Sequence, residues 1–167
     1  MDAFPVIVAL GSNLGDSRKL LLEAMERLAA WSSRPLRRSS LWQSTPVDCP
    51  PGSPLFVNAV AALEPWPEET PESLLSKLQA LEQEFGRRPK QLLNEPRPLD
   101  LDLIVFGAER RSSAELTLPH PRAHLRRFVL EPLQELAPDL ELAGPGSTTV
   151  RQLLSELRTD EVLVRLG

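Results

Sequence analysis

Disulfide chemistry is closed to this chain, because Cys49 is its one cysteine and has no internal partner. With no His or second Cys nearby, it makes a poor zinc ligand and reads as a passive loop thiol. Long apolar runs are missing too. None approaches the ~20 residues that span a bilayer, and no basic segment followed by an apolar one opens the chain, so neither a membrane span nor a signal peptide is expected. These absences predict a cytoplasmic protein. An excess of positive charge is also lacking: 19 Lys and Arg against 23 Asp and Glu leave a net charge of −4. General nucleic-acid binding needs basic surface that releases counterions, so it is not expected. No repeat or linker divides the 167 residues. One domain over 1–167 is expected, long enough to bury a core without staples.

What is present has the balance of a soluble globular protein, 41% apolar and 25% charged. The 17 prolines are about twice the usual ~5% and sit mostly between periodic segments, where they stiffen loops. Cations are bunched at Arg37-Arg38, Arg87 to Lys90 and Arg122 to Arg127. Such runs are often only solvated faces; here they also suit a small polyanion held at one site.

Pro5 to Leu10 is a short apolar run stopped by Gly11, as expected of a central strand. The turn after it is no P-loop, since G-x-x-x-x-G-K-[ST] fails at every position. Asp16 is placed to cap a helix whose apolar face is Leu20, Leu21, Ala24, Met25 and Leu28. Leu36 to Gln43 reads as a polar strand near an edge. A Pro-, Gly- and Ser-rich loop follows, from Ser44 through Pro46 and Val47 to Pro54. Leu55 to Leu63 is a strand apolar except for Asn58, whose amide must either bridge to backbone or meet a polar ligand. Thr70, Pro71 and Gly86 bracket a second helix with Leu74, Leu78, Leu81 and Phe85 on one face. Residues 86–97 then form a long basic connection, a pattern usually tied to function. Leu116 to Leu118 adds a short strand, Phe128 to Leu136 is apolar with Pro132 limiting any helix, and Thr148 or Thr149 caps a last helix from Val150 to Leu157. The order strand, helix, strand, strand, helix, strand predicts an α+β fold of ferredoxin-like β-α-β-β-α-β type, both helices on one sheet face, with a C-terminal extension.

The most unusual stretch is Pro96-Arg97-Pro98-Leu99-Asp100-Leu101-Asp102-Leu103-Ile104-Val105-Phe106-Gly107. In a strand, Asp100 and Asp102 share a face about 6.6 Å apart, while Leu99, Leu101 and Leu103 point the other way into a core. Two neighbouring carboxylates that lose hydration persist only if one is protonated or a cation sits between them. Mg²⁺, which takes hard oxygen ligands and completes its shell with water and phosphate, suits that site; a solvated sheet face is the alternative.

This stretch resembles the signature of the 6-hydroxymethyl-7,8-dihydropterin pyrophosphokinase family. So do Gly11-Ser12-Asn13-Leu14-Gly15, Val57-Asn58-Ala59, Leu118-Pro119-His120-Pro121 and Phe128-Val129-Leu130-x-Pro132-Leu133, in the family's order. The resemblance implies transfer of pyrophosphate from ATP to a pterin alcohol in folate synthesis; a monomer is expected, and charge and the lack of long apolar runs predict no nucleic-acid or membrane partner. It implies two Mg²⁺ on Asp100 and Asp102, with Arg87 and Arg97 clamping phosphate. Gln79, Glu82, Lys90 and His120 match positions at the nucleotide. Ser44, Pro46, Val47, Phe56, Asn58 and Phe128 match positions at the pterin. Two departures fall in the basic connection: Asn94-Glu95 stands where the family commonly has Trp-Gly, and Pro89 where a second arginine is often found. Rival readings are a non-catalytic ligand-binding module of the same fold and a metal-dependent phosphohydrolase.

Overall fold

The computed structural model describes residues 6–13, 16–44, 55–86, 98–142, 147–159 and 161–166. Its centre is an antiparallel sheet in which one inner strand, β1 (Val6–Ser12), is buried at every position. β1 lies between β4 (Phe56–Leu63) and β5 (Asp100–Phe106). On the other side of β4 come β2 (Arg37–Arg38) and β3 (Trp42–Ser44), and β8 (Leu163–Arg165) pairs with β3. A separate hairpin joins β6 (Arg111–Ser112) to β7 (Thr117–Leu118).

Alternation along the strands sends their side chains into two cores. One takes Val6, Val8 and Leu10 of β1 with Leu101 and Leu103 of β5, under α1 (Ser17–Ala29) and α2 (Pro71–Glu84). Both helices start as their residues dictate. Asp16 accepts the Lys19 N–H at 3.3 Å, and Thr70 forms a capping box with Ser73 behind the N1 proline Pro71. Gly86 follows α2 with φ of 97°, the left-handed conformation that only glycine adopts without strain. Arg27 and Glu84 tie the two helices together.

The second core lies under α3 (Arg127–Leu136) and α4 (Val150–Glu156) and takes Ile7, Ala9, Val60, Ile104 and Val105. The C-terminal extension thus covers the sheet face left open by the ferredoxin-like unit. Pro132 does not limit α3, which runs ten residues through it. Its missing N–H falls in the second turn, and full burial of Val129, Leu130 and Leu133 offsets the lost bond. The polar strand lies near an edge, as its sequence suggests, and breaks into β2 and β3 at Ser39-Ser40, where the Ser39 hydroxyl accepts the Val60 N–H at 2.8 Å; β8 pairs outside β3. No described helix is long and apolar enough to cross a membrane.

Candidate active site

Asp102 pairs with Ala9 and Asp100 with Gly11 in the β1–β5 ladder. Partners in a ladder point to one side of a sheet, so both aspartates face α3, and Leu99, Leu101 and Leu103 fill the opposite core. A bulge at Ile104, where the register shifts between Ile7 and Val8, returns the rest of β5 to apolar packing. The strand is fixed from behind by Glu82 of α2, whose buried carboxylate accepts the Leu101 N–H at 2.7 Å.

One row of the sheet gathers several candidate residues. Gly11 stands between Asp100 on β5 and Asn58 on β4, and Trp42 on β3 follows Asn58. Two strand spacings separate Asn58 from Asp100, about 9.5 Å. Gly11 leaves the floor between them open: a Cβ there would stand 3.2 Å from Asn58 Nδ2 and 3.8 Å from the Phe56 ring. Asn58 is 4% exposed, and the Ser44 hydroxyl donates to its Oδ1 at 2.5 Å. That bond fixes the amide's orientation and turns Nδ2 towards the glycine.

Cations reach this row from the first turn of α3. Arg126 Nη1 lies 3.6 Å from Asp102 Oδ2, and its guanidinium sits 5.4 Å from the centre of the Phe128 ring. His120 is held by its backbone N–H to Ile104 O at 2.8 Å, while its Nδ1 accepts the Arg122 N–H at 3.1 Å. Burial first, then Arg126 and Arg122, push its pKa down to about 4, with Asp100 opposing. The imidazole is therefore neutral at pH 7.

The donor set suits magnesium. Among the described residues no cluster of three or more His, Cys, Asp or Glu could hold a metal, so Asp100 and Asp102 would supply carboxylate oxygens and leave most of the shell to water and phosphate, as Mg²⁺ prefers. A thiolate or imidazole cage of the zinc type is not formed by these residues.

Comparison with known proteins decides the family. The model of the 7,8-dihydro-6-hydroxymethylpterin-pyrophosphokinase family matches residues 7–138. The chain belongs to this family of diphosphotransferases. It is 44% identical over 153 residues to the 2-amino-4-hydroxy-6-hydroxymethyldihydropteridine pyrophosphokinase of Pseudomonas aeruginosa, covering 90% of each chain. The Haemophilus influenzae protein of the same name is 38% identical, with 96% of each covered. A folic acid synthesis protein of Pneumocystis carinii is 38% identical over 84% of this chain, which spans only 18% of that longer protein. Solved HPPK-DHPS structures share the fold. One in complex with substrates has a TM-score of 0.65 at 10% identity, covering 92% of this chain and 43% of that one. The Plasmodium falciparum protein with pteroate gives 0.66 at 12% identity, with 93% and 43% covered.

Set against the pyrophosphokinase motifs, the fold brings Asp100, Asp102, Asn58, Ser44, Phe56 and Phe128 to the α3 side of the sheet and His120 beside Asp100. It does not bring Glu82 there. Gln79 is exposed on α2, and Glu82 is turned into the core on the other face. Arg87, Lys90, Arg97, Pro46, Val47, Pro89 and Asn94 lie outside the described residues. The Arg37-Arg38 pair does not join the site: β2 pairs with Ala61 and Ala62, the far end of β4 from Asn58, and Arg38 is held by Glu26 at 2.8 Å. Arg126 is the residue the motif reading passed over. Its signal was its place in the basic run two residues before Phe128. A cavity of about 230 Å³ lies at the far end of β5, beside Val105, Gly107 and Leu142, away from the aspartates.

Proposed function

We propose that this chain transfers pyrophosphate from ATP to the hydroxyl of 6-hydroxymethyl-7,8-dihydropterin, releasing AMP and the pterin diphosphate. The observation that carries the proposal is the single row in which an oriented amide, a glycine floor and a carboxylate follow one another on one sheet face. A flat heterocycle with a polar edge fits the amide end; a phosphate chain with its metal fits the carboxylate end.

In this reading Asn58 pairs with the pterin edge, its orientation set by Ser44, while Pro46 and Val47 complete the wall and Phe56 and Phe128 stack on the ring. Asp100 and Asp102 would hold two Mg²⁺ ions, which would supply positive charge to the phosphate chain. Arg126 balances Asp102 and keeps a donor near the transferring group. Arg87 and Arg97 clamp phosphate oxygens, and Lys90 and His120 belong to the nucleotide side, whereas Gln79 and Glu82, on the other face of the sheet, take no part. Neutral His120 acts there as a hydrogen-bonding group, without adding positive charge beside two arginines. Positioning and charge stabilisation carry most of the rate, because phosphoryl-type transfer asks little covalent chemistry of the protein. One domain over 1–167, acting as a monomer in the cytoplasm, completes the reading.

The test is incubation with ATP, Mg²⁺ and 6-hydroxymethyl-7,8-dihydropterin. AMP is expected only when all three are present. Phosphate release from ATP without the pterin would mark a phosphohydrolase, and pterin binding with no AMP a non-catalytic module.

A further inference from the structure

The family match ends at residue 138, yet the chain past it returns to the walls of the site. β8 adds to the sheet beside β3, with Leu163 opposite Ser44 and Arg165 opposite Trp42, and the Leu166 N–H donates to Leu41 O at 2.8 Å. Just before β8, Glu161 Oε2 accepts the backbone N–H of Phe128 at 3.3 Å. Four residues earlier still, Leu157 O accepts from the Arg127 guanidinium at 3.4 Å. The last stretch of chain therefore grips both the Ser44 side and the Phe128 side of the same row.

The grip on α3 answers a local need. The first four N–H groups of a helix have no partner within it. The N-cap of α3 is Arg126, which makes no side-chain cap, and the first turn holds no acid. A carboxylate at that end both accepts an orphan N–H and meets the positive pole of the helix. Glu161 supplies from 33 residues away what the helix's own sequence omits. The residue it holds is Phe128, and the cap it completes carries Arg126, the partner of Asp102.

We infer that the C-terminal strap of residues 157–159 and 161–166 sets the aromatic wall of the pterin site, with Glu161 as a positioning residue for Phe128. The inference rests on the reading of Phe128 as a pterin-stacking residue. Its consequence is selective. Loosening the first turn of α3 lets the ring leave the stacking position, so pterin affinity falls; the carboxylates of Asp100 and Asp102, built on β5, are left in place.

The experiment titrates Glu161→Ala, Glu161→Gln and Phe128→Ala with 6-hydroxymethyl-7,8-dihydropterin and, separately, with MgATP, and follows the Phe128 amide by hydrogen exchange. Glu161→Ala is expected to weaken pterin binding about tenfold, as loss of a cap does. MgATP binding should stay within about twofold. Glu161→Gln, whose amide oxygen still accepts the Phe128 N–H, should recover most of the affinity and the slow exchange. Unchanged pterin affinity in Glu161→Ala would overturn the inference, as would equal losses for both ligands with a lowered Tm. Phe128→Ala separates the two ideas. If it weakens pterin binding and Glu161→Ala does not, the strap alone fails; if it leaves pterin binding intact, the stacking reading fails and takes the strap with it.

Discussion

The two faces of the central sheet are made by the same strands and have opposite fates. Under α1 and α2, Val6, Val8, Leu10, Leu101 and Leu103 form an unbroken apolar field. Under α3, the apolar field of Ile7, Val60, Ile104 and Val105 stops at Ala9, and beyond it lie Gly11, Asn58, Asp100 and Asp102. A site needs a rigid base, and here each candidate side chain alternates with one anchored in a dry core. The faces therefore separate stability from chemistry residue by residue.

Neighbours on β5 give the largest test of that separation. Asp100→Ala and Asp102→Ala are expected to cut AMP formation by at least ~10²–10³-fold while the metal-free fold changes by no more than about 1 kcal/mol, since both carboxylates are partly solvated. Leu101→Ala, one residue away and 5% exposed, should cost ~2–5 kcal/mol of stability and leave turnover per folded molecule near normal. Urea titrations beside AMP assays read both effects. An aspartate variant with near-normal turnover would break the comparison.

Asn58→Leu comes next. Leucine leaves both the Ser44 hydroxyl and the ligand's polar edge without a partner, about 1–3 kcal/mol for a buried group, so pterin affinity should fall roughly five- to 150-fold with ATP affinity little changed. Equal losses for the two substrates would show that Asn58 serves only the fold. Gly11→Ala should act at the same place more gently. Its Cβ would press on Asn58 Nδ2 at 3.2 Å, and the side-chain tip can give a few tenths of an ångström, so the expected loss is about 1 kcal/mol in pterin binding, measured by calorimetric titration. Stronger pterin binding would show that the floor is not where the ring lies.

Much of the stable face was legible in the sequence, because it is written in local chemistry. Asp16, Thr70, Pro71 and Gly86 mark helix ends through the backbone groups they satisfy, and α1 and α2 appear close to where those residues place them. The aspartate pair was legible for the same reason: alternation alone fixes its face. What escaped depends on partners far along the chain. Pro132 argues locally against a helix that tertiary burial then imposes. β8 is three residues long, with Val164 55% exposed, and forms only because β3 offers an edge. Glu82 reads as a polar position near the nucleotide, while its partner, the Leu101 N–H, is set by how α2 packs. Arg126 was hidden among other arginines, since only the docking of α3 says which of them meets Asp102.

Acid gives the gentlest way to tell the faces apart. The row on the α3 face ends near His120, whose pKa is pushed down to about 4 by burial, Arg126 and Arg122. An unfolded chain restores it to about 6.5. Between those values the unfolded state binds more protons than the folded one, so His120 lowers stability steadily as pH falls from about 6.5 to about 4 and has no effect above that window. Protonation would also cost Nδ1 its role as acceptor for the Arg122 N–H. His120→Asn keeps an acceptor at this position but does not titrate. The wild-type chain should therefore lose more stability than this variant between pH 6.5 and 4.5, with the two curves parallel from pH 7 to 8. The gap is expected to be the smallest effect of the series, because the imidazole is only half-buried and water screens part of its repulsion from the arginines. Curves parallel through the whole range would mean that His120 titrates alike in both states, and that the positive charge gathered at the first turn of α3 does not reach it.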